Sequence, residues 1–248
     1  MPDPYISIII PAYNEENRLP HTLEQVFSFL AEQNYNAEVI VVENGSRDQT
    51  LKVAQEISVS FPNCFVFHNE KAGKGKAVRR GMLAARGEYR IFCDADLSMP
   101  IEEIARFIPP HNDTDIVIAS REVEGAVRYD EPHQRHLTGR VFNFIIRTLA
   151  IPRIHDTQCG FKGFRAYVAE DLFQHQTIDG WAFDVELLYI AQMRGYEIVE
   201  LPIPWYYHDE SKVNIIRDSW RMFLDILKIR KNARQGLYNE SLPPSGEG

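Results

Sequence analysis

Short apolar runs alternate with amphipathic segments through the first half of the chain. The runs, rich in Ile, Val and Phe, lie at residues 5–10, 38–42, 64–67, 89–93 and 115–119. The amphipathic segments between them include residues 17–33, 50–58 and 76–85. Apolar runs of this length predict buried strands, and the segments between them predict helices. Strands buried on both sides are typical of a parallel sheet with helices on both faces, which binds ligands beyond the carboxyl ends of its strands.

The second half of the chain is less regular. Residues 160–165 and 197–201 are predicted strands, and residues 182–193 are a predicted helix. The 248 residues contain no linker-like stretch, so we expect a single domain over residues 1–237. Residues 238–248, rich in Pro, Gly, Ser and Glu, are expected to be a disordered tail.

Charge and cysteine content restrict the function classes. The net charge of −8 argues against nucleic acid as a partner, because such proteins need a basic surface. Three cysteines without a Cys-x-x-Cys pair argue against a disulfide framework or a structural zinc site. The chain shows no signal peptide and no run of about 18 apolar residues. We therefore expect a cytoplasmic protein that is at most peripheral to a membrane.

The triplet Asp94-Ala95-Asp96 directly follows the predicted strand at residues 89–93. In extended backbone the two carboxylates project to one side, where they can hold Mg²⁺ or Mn²⁺ against a diphosphate. The alternative is a polar turn whose carboxylates only cap neighbouring backbone. Asp-x-Asp alone is common and does not decide between the two.

Several motifs occur in an order that is similar to family 2 glycosyltransferases of GT-A fold. The resemblance covers roughly residues 5–232 and is greatest to the polyprenyl-phosphate branch, the dolichyl-phosphate glucosyltransferases and mannose synthases. The motifs are Pro11-Ala12-Tyr13-Asn14-Glu15-Glu16, Glu43-Asn44-Gly45-Ser46, Gly73-Lys74-Gly75-Lys76, Asp94-Ala95-Asp96, Ser120-Arg121, Asp156-Thr157-Gln158-Cys159-Gly160-Phe161-Lys162, Phe183-Asp184-Val185-Glu186 and Ser211-Lys212.

This resemblance implies an inverting, metal-dependent transfer of a hexose from a nucleotide diphosphate sugar to a polyprenyl phosphate. UDP-glucose is the first expected donor and GDP-mannose the second, with Mg²⁺ or Mn²⁺ on Asp94 and Asp96. The implied donor-binding residues are Pro11, Tyr13, Glu15, Glu43, Asn44, Lys74, Asp94 and Ala95. The implied catalytic residues are Asp184, Arg121 and Lys212.

One departure from the family pattern concerns nucleotide recognition. The family usually has Asp-Asp-Gly-Ser where this chain has Glu43-Asn44-Gly45-Ser46, and an amide donates as well as accepts hydrogen bonds. Two other functions stay open, and this departure motivates the second of them. One is transfer to a soluble hydroxyl acceptor with Asp184 as general base, and the other is an inactive regulator that binds sugar nucleotides.

Two segments carry wide apolar arcs bordered by cations. Residues 211–234 hold seven Lys or Arg and two Asp, a net charge of +5, and include a predicted amphipathic helix at about 214–231. Residues 138–151 have a similar pattern. Such arcs suit a helix lying in a membrane interface, and the resemblance favours that role. Burial against the domain or in a homodimer is the alternative.

Overall fold

The computed structural model describes residues 3–130, 151–207 and 215–239, with side chains for all of these except 215–220. The strands are β1 (Ile6–Ala12), β2 (Ala37–Asn44), β3 (Cys64–Asn69), β4 (Tyr89–Cys93), β5 (Ile116–Ser120), β6 (Val127–Tyr129), β7 (Phe161–Arg165), β8 (Ile198–Pro202) and β9 (Pro204–Tyr206). The helices are α1 (Leu19–Ala31), α2 (Thr50–Ser58), α3 (Lys74–Ala84), α4 (Ala166–His175), α5 (Phe183–Arg194) and α6 (Ile215–Arg234), with a 3₁₀ helix at Ile101–Phe107.

Within these residues the strands form a seven-stranded sheet in the order β3-β2-β1-β4-β7-β5-β8, and β6 pairs with β9 in a separate ribbon. The central register places Ile9 of β1 between Ile40 of β2 and Phe92 of β4. Neighbouring strands run parallel except at β7, which is antiparallel to both β4 and β5. The predicted α/β class with a central sheet is confirmed.

Both faces of the sheet are buried, as the apolar strands predicted. Ile9 and Phe92 point into a layer that includes residues of α3, α4 and α5, whereas Ile8 and Ile91 point into a layer that includes residues of α1 and the 3₁₀ helix. All four side chains are fully buried. Burying such residues stabilises the fold by about 1.5–3 kcal/mol each, which anchors the strand ends that carry polar side chains.

The direction of β7 is the main difference from the expected parallel sheet. Because β7 is antiparallel to β4, its first residue Phe161 pairs with Cys93, the last residue of β4. The segment that precedes β7 therefore reaches the same sheet edge as the loops that follow β1, β2 and β4. This arrangement adds residues 156–160 to the edge where a ligand is expected.

The C-terminal helix α6 packs against the domain through one face. Met222, Ile226 and Ile229 are buried in the layer shared with α5. Tyr238, which composition assigned to the tail, is 1% exposed because its ring packs into the same layer, while residues 240–248 lie outside the described part. Residues 138–150 of the second apolar segment also lie outside it. None of the helices that the structure describes combines the length and apolar character needed to cross a bilayer.

Candidate active site

A cleft of about 540 Å³ lies at the sheet edge where β1, β2 and β4 end. The start of α3, the segment before β7 and strand β9 form its other walls. The predicted site residues that line it are Pro11, Tyr13, Glu15, Asn44, Lys74, Asp94, Ala95, Asp96 and Arg121. Glu43 and Asp184 are not among the lining residues, and Lys212 lies outside the described residues.

The loops after β1 and β2 are bound to each other, which fixes the first wall of the cleft. Asn14 has a φ of 53°, a left-handed conformation that Asn tolerates better than most residues. Its backbone N–H donates to the Ser46 hydroxyl over 3.0 Å. The Glu15 N–H donates to the Thr50 hydroxyl over 2.7 Å, and the Glu15 carboxylate pairs with Arg18 at 3.0 Å. Tyr13 and Glu15 are thereby held at the cleft.

The adjacent residues Glu43 and Asn44 point to different surroundings. Glu43 is 1% exposed, and its carboxylate accepts a hydrogen bond from the Ser46 N–H at 2.5 Å and contacts His68 Nδ1. Burial raises the pKa of Glu43, but these bonds outweigh burial and hold it below its usual value. The Asn44 side-chain oxygen lies at the cleft and accepts from the Gly73 N–H over 3.0 Å. Glu43 therefore shapes the loop, and Asn44 is the member of the pair that lines the cleft.

Asp94 occupies space that a side chain at residue 160 would otherwise fill. A Cβ placed on Gly160 would lie 1.9 Å from Oδ2 of Asp94. The backbone is also joined here, because the Asp94 N–H donates to the Gly160 carbonyl over 3.0 Å. The segment before β7 thus cradles the first carboxylate of the Asp-Ala-Asp triplet.

Hydrogen bonds also fix the other members of the triplet. The Ala95 carbonyl accepts a 2.6 Å hydrogen bond from the Thr22 hydroxyl of α1. One oxygen of Asp96 accepts from the Ser98 N–H over 3.0 Å. The next residue, Leu97, has a φ of 43°, and such values are uncommon for residues other than glycine. The turn therefore keeps both aspartates at the cleft.

Lys74, at the start of α3, pairs with Asp94. Its Nζ lies 2.6 Å from Oδ1 and 2.9 Å from Oδ2 of that carboxylate. The same ammonium lies 5.1 Å from the centroid of the Trp181 ring. Burial lowers the pKa of Lys74, but the nearby carboxylates of Asp94, Asp184 and Asp96 outweigh it and raise the pKa above its usual value. Lys74 is therefore a charged group of the cleft.

A second lysine forms a buried ion pair behind the cleft. Lys162 Nζ lies 2.9 Å from Oδ1 of Asp184 and donates to the Cys159 carbonyl over 2.5 Å. Lys162 and Asp184 are 1% and 3% exposed. Burial raises the pKa of Asp184, opposed by the charges of Lys162 and Lys74. Asp184 is therefore buried behind the cleft, and its catalytic role stays a prediction.

Arg121 is held against the cleft wall by Asp156. Its Nε and terminal nitrogen donate to the two oxygens of Asp156 over 2.7 and 2.9 Å, which is a bidentate pair. Asp156 is fully buried; burial raises its pKa, but Arg121 outweighs burial and lowers it to about 2. The guanidinium carbon of Arg121 lies 5.4 Å from the Trp205 ring centroid. Arg121 is thus a preorganised cation of the site.

Glu186 supports the loop that precedes α5. It is fully buried and accepts hydrogen bonds from the Thr177 and Ile178 N–H groups over 2.9 and 2.8 Å. The Tyr238 hydroxyl donates to it over 2.7 Å. Glu186 therefore binds the C-terminal turn to the loop that carries the cleft residue Trp181, and its role is structural.

Sequence reasoning missed several cleft residues. Trp181 and Trp205 border the cleft, and so do Arg18 of the first loop and Arg221 of α6. Both tryptophans lie just outside the predicted helices and strands. The only sequence signal for a position at the cleft is therefore the large ring with its polar N–H. Cys159, within the Asp156–Lys162 motif, also lines the cleft, although only 3% of its surface is exposed.

Asp94 and Asp96 are carboxylates at the cleft, and such oxygen ligands suit Mg²⁺ and Mn²⁺. Among the residues that the structure describes, no group of three or more His, Cys, Asp and Glu side chains forms a metal site. A cation here would therefore complete its shell with diphosphate oxygens and water, as Mg²⁺ does at phosphate sites. The donor set fits a cation held jointly by protein and substrate.

A family model described as glycosyl transferase family 2 matches residues 7–173. The chain belongs to this family. It is a glycosyltransferase, and it is 34% identical over 250 residues to a dolichyl-phosphate beta-glucosyltransferase of Dictyostelium discoideum, with 94% of this chain and 76% of that protein covered. It is likewise 34% identical over 251 residues to the Homo sapiens dolichyl-phosphate beta-glucosyltransferase, with 92% and 76% covered.

Among solved structures, this glycosyltransferase is similar in fold to glucosyl-3-phosphoglycerate synthase from Mycobacterium tuberculosis in complex with Mn²⁺, UDP-glucose and phosphoglyceric acid. The TM-score is 0.65 at 18% identity, with 98% of this chain and 82% of that chain covered. This likeness shows the GT-A fold alone.

Proposed function

We propose that this glycosyltransferase moves glucose from UDP-glucose to a polyprenyl phosphate with inversion at the anomeric carbon, using Mg²⁺ or Mn²⁺ at Asp94 and Asp96. The observation that carries the proposal is the charge pattern of the cleft. Two carboxylates at the end of β4 lie in one cleft with Lys74, Arg121 and Arg221, cations from three separate segments. A donor diphosphate and an acceptor phosphate both need such cations nearby.

The donor nucleotide is assigned to the wall built by the loops after β1 and β2. Tyr13, Glu15 and Asn44 offer a ring, a carboxylate and an amide there, which suit a nucleobase and a ribose. The diphosphate would contact Lys74 and the backbone at Ala95, which line the same cleft, and a bound cation would neutralise the diphosphate as it leaves. Glucose is preferred to mannose because the relatives are named glucosyltransferases; GDP-mannose is the second donor to test.

The acceptor needs no strong base if it is a phosphate monoester, which is mainly dianionic at neutral pH. The position of Asp184 supports this acceptor, because the carboxylate is buried and paired with Lys162 at 2.9 Å. A general base must come within about 2.6–3.2 Å of the attacking group. Transfer to a soluble hydroxyl with Asp184 as base is therefore disfavoured. Arg121 would bind the acceptor phosphate or the leaving group.

Inversion is supported by the stereochemistry in the relatives' names. The anomeric bond of UDP-glucose is α, and the relatives are called beta-glucosyltransferases. A single displacement by the acceptor oxygen forms the β bond to carbon 1 as the bond to the diphosphate breaks. Such a step requires one acceptor and one donor in line, and it requires no covalent intermediate on the protein.

The lipid acceptor implies contact with the cytoplasmic face of a membrane. On α6 the side chains of Leu224 and Leu227 are 48% and 45% exposed, on the side of the helix away from the buried Met222 and Ile226. Basic residues border this part of the helix, which suits an anionic interface. A homodimer is the competing explanation for the exposed leucines. Lys212 lies outside the described residues, and we propose that it neutralises charge on the leaving group.

The proposal is tested by incubating the protein with radiolabelled UDP-glucose, Mn²⁺ and a polyprenyl phosphate in detergent. We expect a glucolipid that extracts into organic solvent, whose anomeric proton shows a β linkage by NMR. GDP-mannose, 3-phosphoglycerate as a soluble acceptor and chelator are run in parallel.

Asp96→Asn is the matched variant, with Glu24→Gln as a control at an exposed carboxylate of α1. We expect glucolipid formation to fall at least about 100-fold in the first variant, since removing one group that stabilises the developing charge typically costs that much, and to be unchanged in the second. Turnover on the soluble acceptor alone would contradict the lipid assignment. Donor binding without turnover on any acceptor would favour the inactive regulator.

A further inference from the structure

The position of Lys74 on Asp94 has a consequence for how a metal binds. Its ammonium lies within 2.9 Å of both carboxylate oxygens, so it covers the two atoms that a cation would use. The Asp94 side chain is otherwise open to the cleft, with 34% of its surface exposed. A divalent cation that binds both of these oxygens must therefore displace the ammonium.

The backbone that carries Lys74 is fixed, whereas its side chain is long. The Gly73 N–H is bound to Asn44 over 3.0 Å, and the Lys76 N–H donates to the Asp179 carbonyl over 3.2 Å. A Cβ on Gly75 would lie 2.6 Å from Cβ of Phe183, so α3 starts in close contact with α5. The ammonium of Lys74 can therefore move by rotation of its flexible four-carbon side chain, while the backbone stays in place.

We infer that Lys74 is an exchangeable counter-ion, which neutralises Asp94 in the donor-free enzyme and moves onto the donor diphosphate when a divalent cation takes its place. The inference rests on the proposed metal use of Asp94. It predicts that Mn²⁺ alone binds weakly, because it must displace an ammonium. It also predicts that nucleotide and metal strengthen each other, because the diphosphate offers Lys74 a new anionic partner.

Lys74→Met tests this directly through metal affinity without any turnover. Free Mn²⁺ is measured by electron paramagnetic resonance in titrations of the whole protein, with and without UDP. Without UDP we expect the variant to bind Mn²⁺ at least about 10-fold more tightly than the unsubstituted protein, within the usual range of coupling between sites. With UDP the gain should shrink or reverse, because the variant has lost its contact to the diphosphate.

Lys76→Met is the matched control, since it removes the same charge from the same turn of α3 at an exposed position. We expect its Mn²⁺ affinity to stay within about twofold, because exposed charges are screened. Equal or weaker Mn²⁺ binding by Lys74→Met, or the same gain in both variants, would overturn the inference. Circular dichroism checks folding, and Lys74→Gln replaces Lys74→Met if the latter does not fold.

Asp94→Asn separates this inference from the proposed function. If this variant binds Mn²⁺ with UDP as well as the unsubstituted protein does, then the metal assignment itself is wrong. If Asp94→Asn abolishes Mn²⁺ binding while Lys74→Met gives no gain, only the exchange of counter-ions fails.

Discussion

A single methyl group at residue 160 should displace Asp94 and nearly abolish transfer. In Gly160→Ala the new Cβ would lie 1.9 Å from Oδ2 and 2.4 Å from Cγ of Asp94. To restore ordinary contact between non-bonded atoms, the carboxylate must retreat by about 1.5 Å. A displacement of about 1 Å can cost about 100-fold in rate, so we expect kcat/KM to fall at least about 100-fold, or about 2.7 kcal/mol.

Gly163→Ala is the control, three residues along in β7. Its Cβ would meet Ile91 and Phe107 at 3.4 Å, which is ordinary van der Waals contact. The assay is initial-rate kinetics of glucolipid formation at varied UDP-glucose, with thermal unfolding to verify that both variants fold. If Gly160→Ala folds and keeps kcat/KM within about threefold of the unsubstituted protein, the proposed role of Asp94 is refuted.

Three further predictions concern stability and surface binding. Asp184→Asn should lower the unfolding free energy by about 3–5 kcal/mol in urea melts, because it leaves a buried ammonium unpaired, and a loss under 1 kcal/mol would contradict that. The depressed pKa of Asp156, about 2, contributes about 2 kcal/mol that is fully present above pH about 4 and lost as the pH falls toward 2. The difference in unfolding free energy between the unsubstituted protein and Asp156→Asn should therefore narrow by that amount as the pH falls from about 4 to about 2. A difference that stays constant over these pH values would contradict the prediction. The double variant Leu224→Ser with Leu227→Ser should bind anionic vesicles about 10-fold more weakly in sedimentation assays. Val59→Ser, at another exposed apolar residue, should bind the vesicles as well as the unsubstituted protein does. An equal loss of vesicle binding in both variants would exclude α6 as the membrane contact.

The strands and the sheet edge of this protein could be predicted because they depend on local pattern. Apolar runs such as Ile8–Ile10 are buried wherever they lie, and carboxyl ends of parallel strands meet at one edge. Those two rules alone place Asp94, Asp96 and Asn44 together. The antiparallel direction of β7 could not be predicted, since the sequence of a five-residue strand does not indicate which way it runs in the sheet.

The predicted residues that do not line the cleft, and the cleft residues that were missed, depend on non-local packing. Glu43 and Asn44 are neighbours in β2, and successive residues of a strand point to opposite sides, so only one of the two can face a ligand. The sequence contains no sign of which one. Lys162 was missed as a separate group because lysine is usually exposed, and its burial depends on Asp184, 22 residues away in the chain.

The buried Tyr238 sets a limit on how this protein can be shortened or tagged. A chain trimmed just before it would lose the hydroxyl that donates to Glu186, and water would enter the apolar layer between α5 and α6. The disturbance would spread to the loop that carries Trp181, far in sequence from the cut. Shortened versions of this enzyme should therefore keep Tyr238, and a tag at the amino terminus would join the chain where β1 begins, on the opposite edge of the sheet from the cleft.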